Sequence, residues 1–251
     1  MRRLRSAWRR YIPQQMRQHF AQARRAMRDR FGRAPFPVLR YQPASLAMDG
    51  FHLQFAIEQP IRQTAHSIGK IANLRIAAAR LGYVRVPAGK AISFWTQVGP
   101  PTQSNGFKLG RSLVEDRLSA DIGGGLCQIS GLLYELGLRA GMTIIERHAH
   151  SRDLYTEETR FTPLGLDATV VWGYKDVRLG NVVGAPVMFA FDVDETSIIG
   201  RLLTQRPLQP AGIRLVRTEI SPHIRTVQVF RQPAGSIEQL ISNDTYAIDP
   251  A

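Results

Sequence analysis

Three consecutive glycines, Gly123 to Gly125, stand directly before a stretch with helical periodicity, and they constrain the local fold more than any other feature of the chain. Glycine takes left-handed backbone angles at little cost, so this run can turn sharply. After the turn, apolar side chains recur every three or four residues, at Leu126, Ile129, Leu132, Leu133, Leu136 and Ala140. The spacing predicts a helix over Leu126 to Arg139 that ends at Gly141.

Strand-like segments dominate the chain after this helix. β-Branched residues are frequent from Met142 to Ser151, a further strand is predicted from Ala168, and other strand-like stretches cover 186–193, 197–203 and 213–230. No helical pattern alternates with them. We therefore expect an α+β fold, with a mainly antiparallel sheet of strands after residue 142 packed on the helix that starts at the cysteine motif. An earlier helix is predicted over Ile61 to Leu81. Its apolar stripe includes Ile68, and Gly82 is its C-cap.

The basic charge of the chain is concentrated in an N-terminal arm. The net charge is +13, and residues 1–40 hold twelve arginines against one acidic residue, Asp29, a balance of +11. Two prolines near residue 36 place the boundary at about residue 40, so we expect an arm over 1–40 and one domain over 41–251. Within the arm, helical spacing predicts an amphipathic helix with arginines opposite an apolar stripe of Met16, Phe20, Ala23, Met27 and Phe31.

Three roles for this arm are open on sequence grounds. The helix can pack on the domain by its apolar stripe, bind an anionic membrane through residues 1–33, or bind nucleic acid, the least favoured of the three. Residues 1–33 lack the continuous apolar region of a secretory signal, and no apolar run reaches the ~18 residues of a spanning helix. We therefore expect a cytoplasmic protein that becomes peripheral on the inner membrane if the arm binds lipid.

Cys127, the sole cysteine, falls in the first turn of the predicted helix. A helix N-terminus favours an anion by about 0.3–1 kcal/mol, which lowers a thiol pKa and makes the sulfur more nucleophilic. The amides of Gly123, Gly124 and Gly125 are candidate donors to an oxyanion. A simple tight turn followed by a buried structural cysteine is the alternative interpretation.

Two histidines follow in the expected strand, where period two places Glu146, His148 and His150 on one face. A base must reach the thiol. We take His148 as the general base, because it lies deeper in the strand, and His150, where the strand gives way to Ser151, as a substrate contact. Asp167 is the candidate that orients the base, although an aspartate there can also cap a turn. A metal site formed by the two histidines with carboxylates is a less favoured alternative. The single cysteine excludes an internal disulfide and a paired-cysteine zinc site.

Several ordered motifs together resemble one known family. They are Ser93-Phe-Trp-Thr-Gln-Val-Gly, Asn105-Gly-Phe-Lys-Leu-Gly, Gly123-Gly-Gly-Leu-Cys-Gln-Ile-Ser, Glu146-Arg-His-Ala-His-Ser-Arg-Asp, Pro163-Leu-Gly-Leu-Asp-Ala-Thr-Val and Asp176-Val-Arg-Leu-Gly-Asn. In this order they are similar to the VanW family, named for an accessory protein of vancomycin-resistance clusters. The resemblance runs from about residue 61 to 203.

The resemblance implies a chemistry and a substrate class. VanW domains of some exported proteins are described as cysteine L,D-transpeptidases, which implies that Cys127 is a nucleophile and that no cofactor is needed. The implied substrate is a peptidoglycan stem peptide or a lipid-linked precursor, processed by acyl transfer or hydrolysis. By the same resemblance, the polar motif residues near the cysteine are expected to contact substrate or oxyanion, namely Ser93, Gln128, Ser130 and Arg147. A non-catalytic binding or scaffold protein for envelope precursors is the alternative.

The arm hypothesis predicts binding to anionic membranes. Deletion of residues 1–33 should reduce co-sedimentation of the protein with anionic liposomes, because the deletion removes the basic, amphipathic segment. High salt should weaken co-sedimentation of the full chain, since it screens the arginines. Equal sedimentation of the truncated and full-length proteins would contradict the hypothesis.

Overall fold

A computed structural model describes residues 14–31, 50–114, 117–153, 155 and 160–248. The expected boundary near residue 40 and the first thirteen residues of the arm lie outside the described residues. The described residues form four helices, which are α1 (Gln14–Phe31), α2 (Ser67–Leu81), α3 (Phe94–Val98) and α4 (Leu126–Arg139). A short 3-10 helix covers Gln103–Asn105.

The strands outnumber the helices. In chain order they are β1 (His52–Pro60), β2 (Val84–Val86), β3 (Ala91–Ser93), β4 (Leu109–Val114), β5 (Arg117–Ile122), β6 (Thr143–Glu146), β7 (Arg152–Asp153), β8 (Arg178–Gly180), β9 (Val187–Val193), β10 (Ser197–Thr204), β11 (Gly212–Ser221), β12 (Ile224–Gln232) and β13 (Gln239–Ile248).

These strands form small, mostly antiparallel sheets in the orders β1-β10-β9-β2, β11-β12-β13-β7 and β3-β8-β6, together with the hairpin β4-β5. The short pair β13–β7 is parallel, and the other described pairs are antiparallel. The prediction of an α+β fold with mainly antiparallel sheets is confirmed. The strands β1 to β5 precede residue 142, so the prediction that the sheet begins after the cysteine helix was incomplete.

The core lies between α4 and the strands around it. The helix covers Leu126–Arg139 as predicted, and Leu132, Leu133 and Leu136 are fully buried. A Cβ at Gly200 on β10 would lie 2.8 Å from the Leu132 side chain, so α4 packs directly on the backbone of that strand. Gly141 has a φ of 78° just past the helix end, which is the left-handed angle that favours glycine there.

Three local predictions were wrong. The helix α2 starts at Ser67 rather than Ile61, because β1 continues to Pro60, and Ile68 is 88% exposed instead of part of the buried stripe. The segment from Ala168 forms no regular strand. The strand after α4 ends at Glu146. Of the roles left open for the arm, packing by the apolar stripe is not what holds α1: the helix contacts the domain through Arg25, while Met16 and Met27, on the stripe, are more than half exposed.

Buried Asn73 on α2 fixes the glycine turn. Its side-chain nitrogen donates to the carbonyl oxygens of Lys108 (3.0 Å) and Gly124 (2.9 Å), and its side-chain oxygen accepts from the Lys108 N–H at 2.8 Å. The backbones of Gly110 and Gly124 consequently approach so closely that a Cβ on Gly124 would lie 2.1 Å from the Gly110 oxygen. Neither glycine can be replaced without moving the turn that precedes Cys127.

This packing predicts that Gly124→Ala lowers the free energy of unfolding by about 1–3 kcal/mol, since the added methyl group meets backbone atoms that cannot rotate away. Gly212→Ala is the matched control, because a Cβ there would come no closer than 3.8 Å to its surroundings. We expect that variant to stay within about 0.5 kcal/mol of the parent. Urea denaturation of both variants makes the comparison, and equal losses at the two positions would contradict it.

Candidate active site

Cys127 lies one residue after the start of α4 and is half-buried. The turn before it has left-handed angles at Gly123 (φ 82°) and at the N-cap Gly125 (φ 94°), which a residue with a side chain rarely adopts. The sulfur therefore stands at the positive end of the helix, where a thiolate is favoured.

His150 connects the thiol to a buried carboxylate. Its Nδ1 lies 2.6 Å from Asp167 Oδ2, and its backbone N–H donates to the same oxygen at 2.8 Å. Its side chain also forms a hydrogen bond with Cys127. Because Nδ1 faces the carboxylate, Nε2 is the nitrogen available to the sulfur. Cys127, His150 and Asp167 thus form a chain of nucleophile, base and orienting carboxylate.

The electrostatics of these three groups favour a thiolate beside an imidazolium. Burial by itself raises the pKa of Cys127, but the hydrogen bond and charge of His150 and the N–H of Val170 outweigh burial and hold that pKa below its ordinary value of 9.0. Burial lowers the pKa of His150, whereas Asp167 and Cys127 raise it well above its usual range. The pKa of Asp167 is depressed despite its burial, because His150 and Arg147 stabilise the carboxylate.

A second layer holds Asp167 itself. The Tyr246 hydroxyl donates to its Oδ1 at 2.7 Å, and the Gly165 N–H and the Arg147 guanidinium each donate to the same oxygen at 3.2 Å. Arg147 also donates to the carbonyl oxygens of Asp167 (2.8 Å) and Gly165 (3.1 Å) and pairs with Asp244. The carboxylate is therefore fixed in position as well as charged.

The geometry corrects the expected order of the two histidines. His148 Nε2 lies 3.0 Å from Glu146 Oε1, so its ring is paired with that carboxylate, whereas His150 bonds to Cys127. Burial raises the pKa of Glu146, but His148 and Arg25 bring it down to about 2. The structure places His150, not the predicted base His148, beside Cys127, because β6 ends at Glu146 and strand alternation does not extend to residue 150.

The glycine amides are also placed differently from the expectation. The N–H of Gly123 donates to the Lys108 carbonyl at 3.0 Å, and that of Gly124 donates to the Asp121 carbonyl at 3.0 Å. These two groups are used inside the turn and do not face an oxyanion. At a helix start the first amides have no partner within the helix, so the N–H groups of Leu126 and Cys127 are the better candidates, next to that of Gly125.

The other polar motif residues form internal links. Ser93 Oγ donates to Asp176 at 2.6 Å and caps α3, Gln128 donates to the Pro60 carbonyl at 3.0 Å, and Ser130 donates to the Ala168 carbonyl at 2.7 Å. Their side chains are buried. With buried Arg147, they are therefore placed inside the protein rather than at a surface that a substrate can reach, contrary to the expectation of substrate contact.

Sequence reasoning missed three groups of the site. The Val170 N–H stabilises the thiolate, and Tyr246 and Asp244 on β13 support Asp167 and Arg147. The alternation of Ser242, Asp244 and Tyr246 places them on one face of a strand and could have marked β13 as half-buried. Within the described ranges, no cluster of three or more His, Cys, Asp or Glu side chains is arranged to hold a metal ion.

Comparison with known proteins gives a family and two relatives. The sequence model of a family described as VanW like protein matches residues 69–203. The vancomycin B-type resistance protein VanW of Enterococcus faecalis (strain ATCC 700802 / V583) is 29% identical over 169 residues, which are 67% of this chain and 58% of that protein. The uncharacterized protein YoaR of Bacillus subtilis (strain 168) is 34% identical over 116 residues, 46% of this chain and 37% of that protein.

The chain therefore spans less than two thirds of the length of both relatives. No solved structure matches the chain significantly. Among the described helices, none is both long and apolar enough to cross a bilayer.

The geometry predicts different effects for the two histidines. His150→Gln removes the hydrogen bond and the charge that lower the Cys127 pKa. Burial, which raises that pKa, remains, so the pKa of the thiol should rise. His148→Gln is the matched control, because its ring pairs with Glu146. The rate of iodoacetamide alkylation of Cys127, followed from pH 5 to 10, reports the thiol pKa of each variant. A shift in His148→Gln with none in His150→Gln would contradict the assignment.

Proposed function

Because the chain belongs to the VanW like protein family, we propose that it is a cysteine-dependent acyl transferase of the L,D-transpeptidase kind, or a peptidase, that acts on peptidoglycan peptides or their precursors. The observation that carries the proposal is the chain Cys127–His150–Asp167 at the start of α4. All three residues lie inside the segment matched by the family. The name of the enterococcal relative ties that protein to vancomycin resistance, which fits a substrate from the cell envelope.

The first half of the reaction uses the thiolate and the imidazolium. Cys127 Sγ attacks a peptide carbonyl carbon, and the amides of Leu126 and Cys127 stabilise the oxyanion that forms. As the carbon–nitrogen bond breaks, His150 gives its Nε2 proton to the leaving amine. The products of this step are an acyl thioester on Cys127, a free amine and a neutral imidazole.

The second half reverses these roles. An acceptor amine loses a proton to His150 as it attacks the thioester carbon, and the carbon–sulfur bond breaks to return the thiolate. If water is the acceptor, the same steps give hydrolysis, so the reaction class depends on which acceptor reaches the thioester. Asp167 keeps Nδ1 protonated throughout, which fixes the tautomer that presents Nε2 to the sulfur.

Formation of an acyl-enzyme tests the proposal. Incubation of the full chain with stem-peptide analogues that contain D-amino acids should add the acyl mass to the protein, located on Cys127 by peptide mapping. Cys127→Ser should abolish the adduct, and His150→Gln should slow its formation by about 100- to 10,000-fold. Ser151→Ala, next to the base, should leave the rate within a few-fold.

Two results would count against the enzyme. An adduct that survives in Cys127→Ser would remove the nucleophile role. Tight binding of the analogues without any adduct would favour the alternative of a non-catalytic binding or scaffold protein for envelope precursors.

A further inference from the structure

A cleft of about 380 Å³ lies between α1 and the domain. On one side it is lined by Arg24 and Arg25 of α1, and on the other by Glu146, His148, Gly173 and Tyr174. Helix α1 lies outside the segment matched by the family.

Specific contacts hold α1 against the domain. Arg25 pairs with Glu146 and donates to the Tyr174 carbonyl at 2.9 Å. Gly173 has a φ of 85°, and a Cβ there would lie 2.9 Å from the Gln18 carbonyl oxygen. The helix therefore rests on a position that requires glycine, and the cleft has a defined second wall.

Among the described residues that line the cleft, the charges do not balance. Glu146 is the one carboxylate among them, and that group is already engaged by Arg25, by His148 and by Arg178, whose Nε lies 3.6 Å away. Arg24 also lines the cleft, its side chain is exposed, and no carboxylate of the described residues forms an ion pair with it. One guanidinium is thus left to attract an anion from solution.

Two residues that line the cleft are close along the chain to partners of the thiol. His148 is two residues from His150, and Gly173 is three residues from Val170. His150 and Val170 both form hydrogen bonds with Cys127. Because consecutive Cα atoms are 3.8 Å apart, the Cα atoms of the first pair lie at most about 8 Å apart, and those of the second pair at most about 12 Å apart. These short separations support a ligand that reaches Cys127 with one part and the cleft with another.

We propose that this cleft binds a terminal oxyanion group, a carboxylate or a phosphate, of the ligand that reacts at Cys127, and that Arg24 is its cationic anchor. That the bound ligand reacts at Cys127 rests on the proposed function, whereas the binding of an anion in the cleft does not. A planar guanidinium offers paired donors that match either oxyanion.

Two alkylating reagents of similar size test the charge preference. Iodoacetate and iodoacetamide both lose iodide as Sγ forms a bond to carbon, but the first is an anion and the second is neutral. In the full chain, Arg24→Gln should lower the ratio of the iodoacetate rate to the iodoacetamide rate by about 2- to 10-fold. High salt should lower the ratio in the parent protein.

The control is Arg206→Gln, an exposed arginine that does not line the cleft, and its ratio should equal that of the parent. A ratio unchanged in Arg24→Gln overturns the anion site. Slow alkylation of the parent by iodoacetamide at neutral pH instead counts against the thiolate of the proposed function, so the two failures are distinguishable.

Calorimetric titration tests the site without relying on the thiol and separates the two ligand sources. Binding of an acetylated D-alanyl-D-alanine acid but not of its C-terminal amide, weakened at least 5-fold in Arg24→Gln, supports a peptide carboxylate. Binding of inorganic pyrophosphate alone, weakened in the same variant, supports the phosphate of a lipid-linked precursor. If neither ligand binds, or if Arg24→Gln binds as the parent does, the proposal is wrong.

Discussion

The buried carboxylate of Asp167 is the interaction on which the candidate site depends. It accepts hydrogen bonds from Arg147, Gly165 and Tyr246 at one oxygen and from the backbone and ring of His150 at the other. A buried charge without such partners costs several kcal/mol, so these donors must be in place for the domain to fold with the carboxylate inside. The same requirement brings His150 to the side of α4 where Cys127 lies.

This dependence makes the C-terminal sheet part of the site. Tyr246 and Asp244 lie on β13, beyond the segment that the family matches. A Cβ on Gly165 would lie 2.7 Å from Val229 of β12, so the loop that carries Asp167 packs directly on this sheet. The sheet therefore supports the carboxylate both by packing and by hydrogen bonds. Some of the residues that hold Asp167 in place thus lie outside the segment matched by the family.

Local patterns were predictable and long-range pairings were not. The helix Leu126–Arg139 and the placement of Cys127 at its start follow from spacing within one segment. The strand β6 ends at Glu146, where its partner β8 begins at Arg178, and the next residue, Arg147, pairs with Asp244, 97 residues away. No period in the sequence reports such a pair, so the alternation was extended too far and His148 was taken for the base in place of His150.

Arg147 offsets a conflict in the effects of Asp167 on His150 and on Cys127. Asp167 raises the pKa of His150, which favours the thiolate, but its own negative charge raises the pKa of Cys127, which disfavours it. The nearby guanidinium of Arg147 offsets part of that charge at Asp167 Oδ1, while Oδ2 stays bonded to the imidazole. Burial lowers the pKa of Arg147, but its neighbours, Asp167 first, outweigh burial and raise that pKa, so the guanidinium stays charged. The negative charges of thiolate and carboxylate are thus each matched by a cation, and the separated charges of the resting site are stable in a largely buried position.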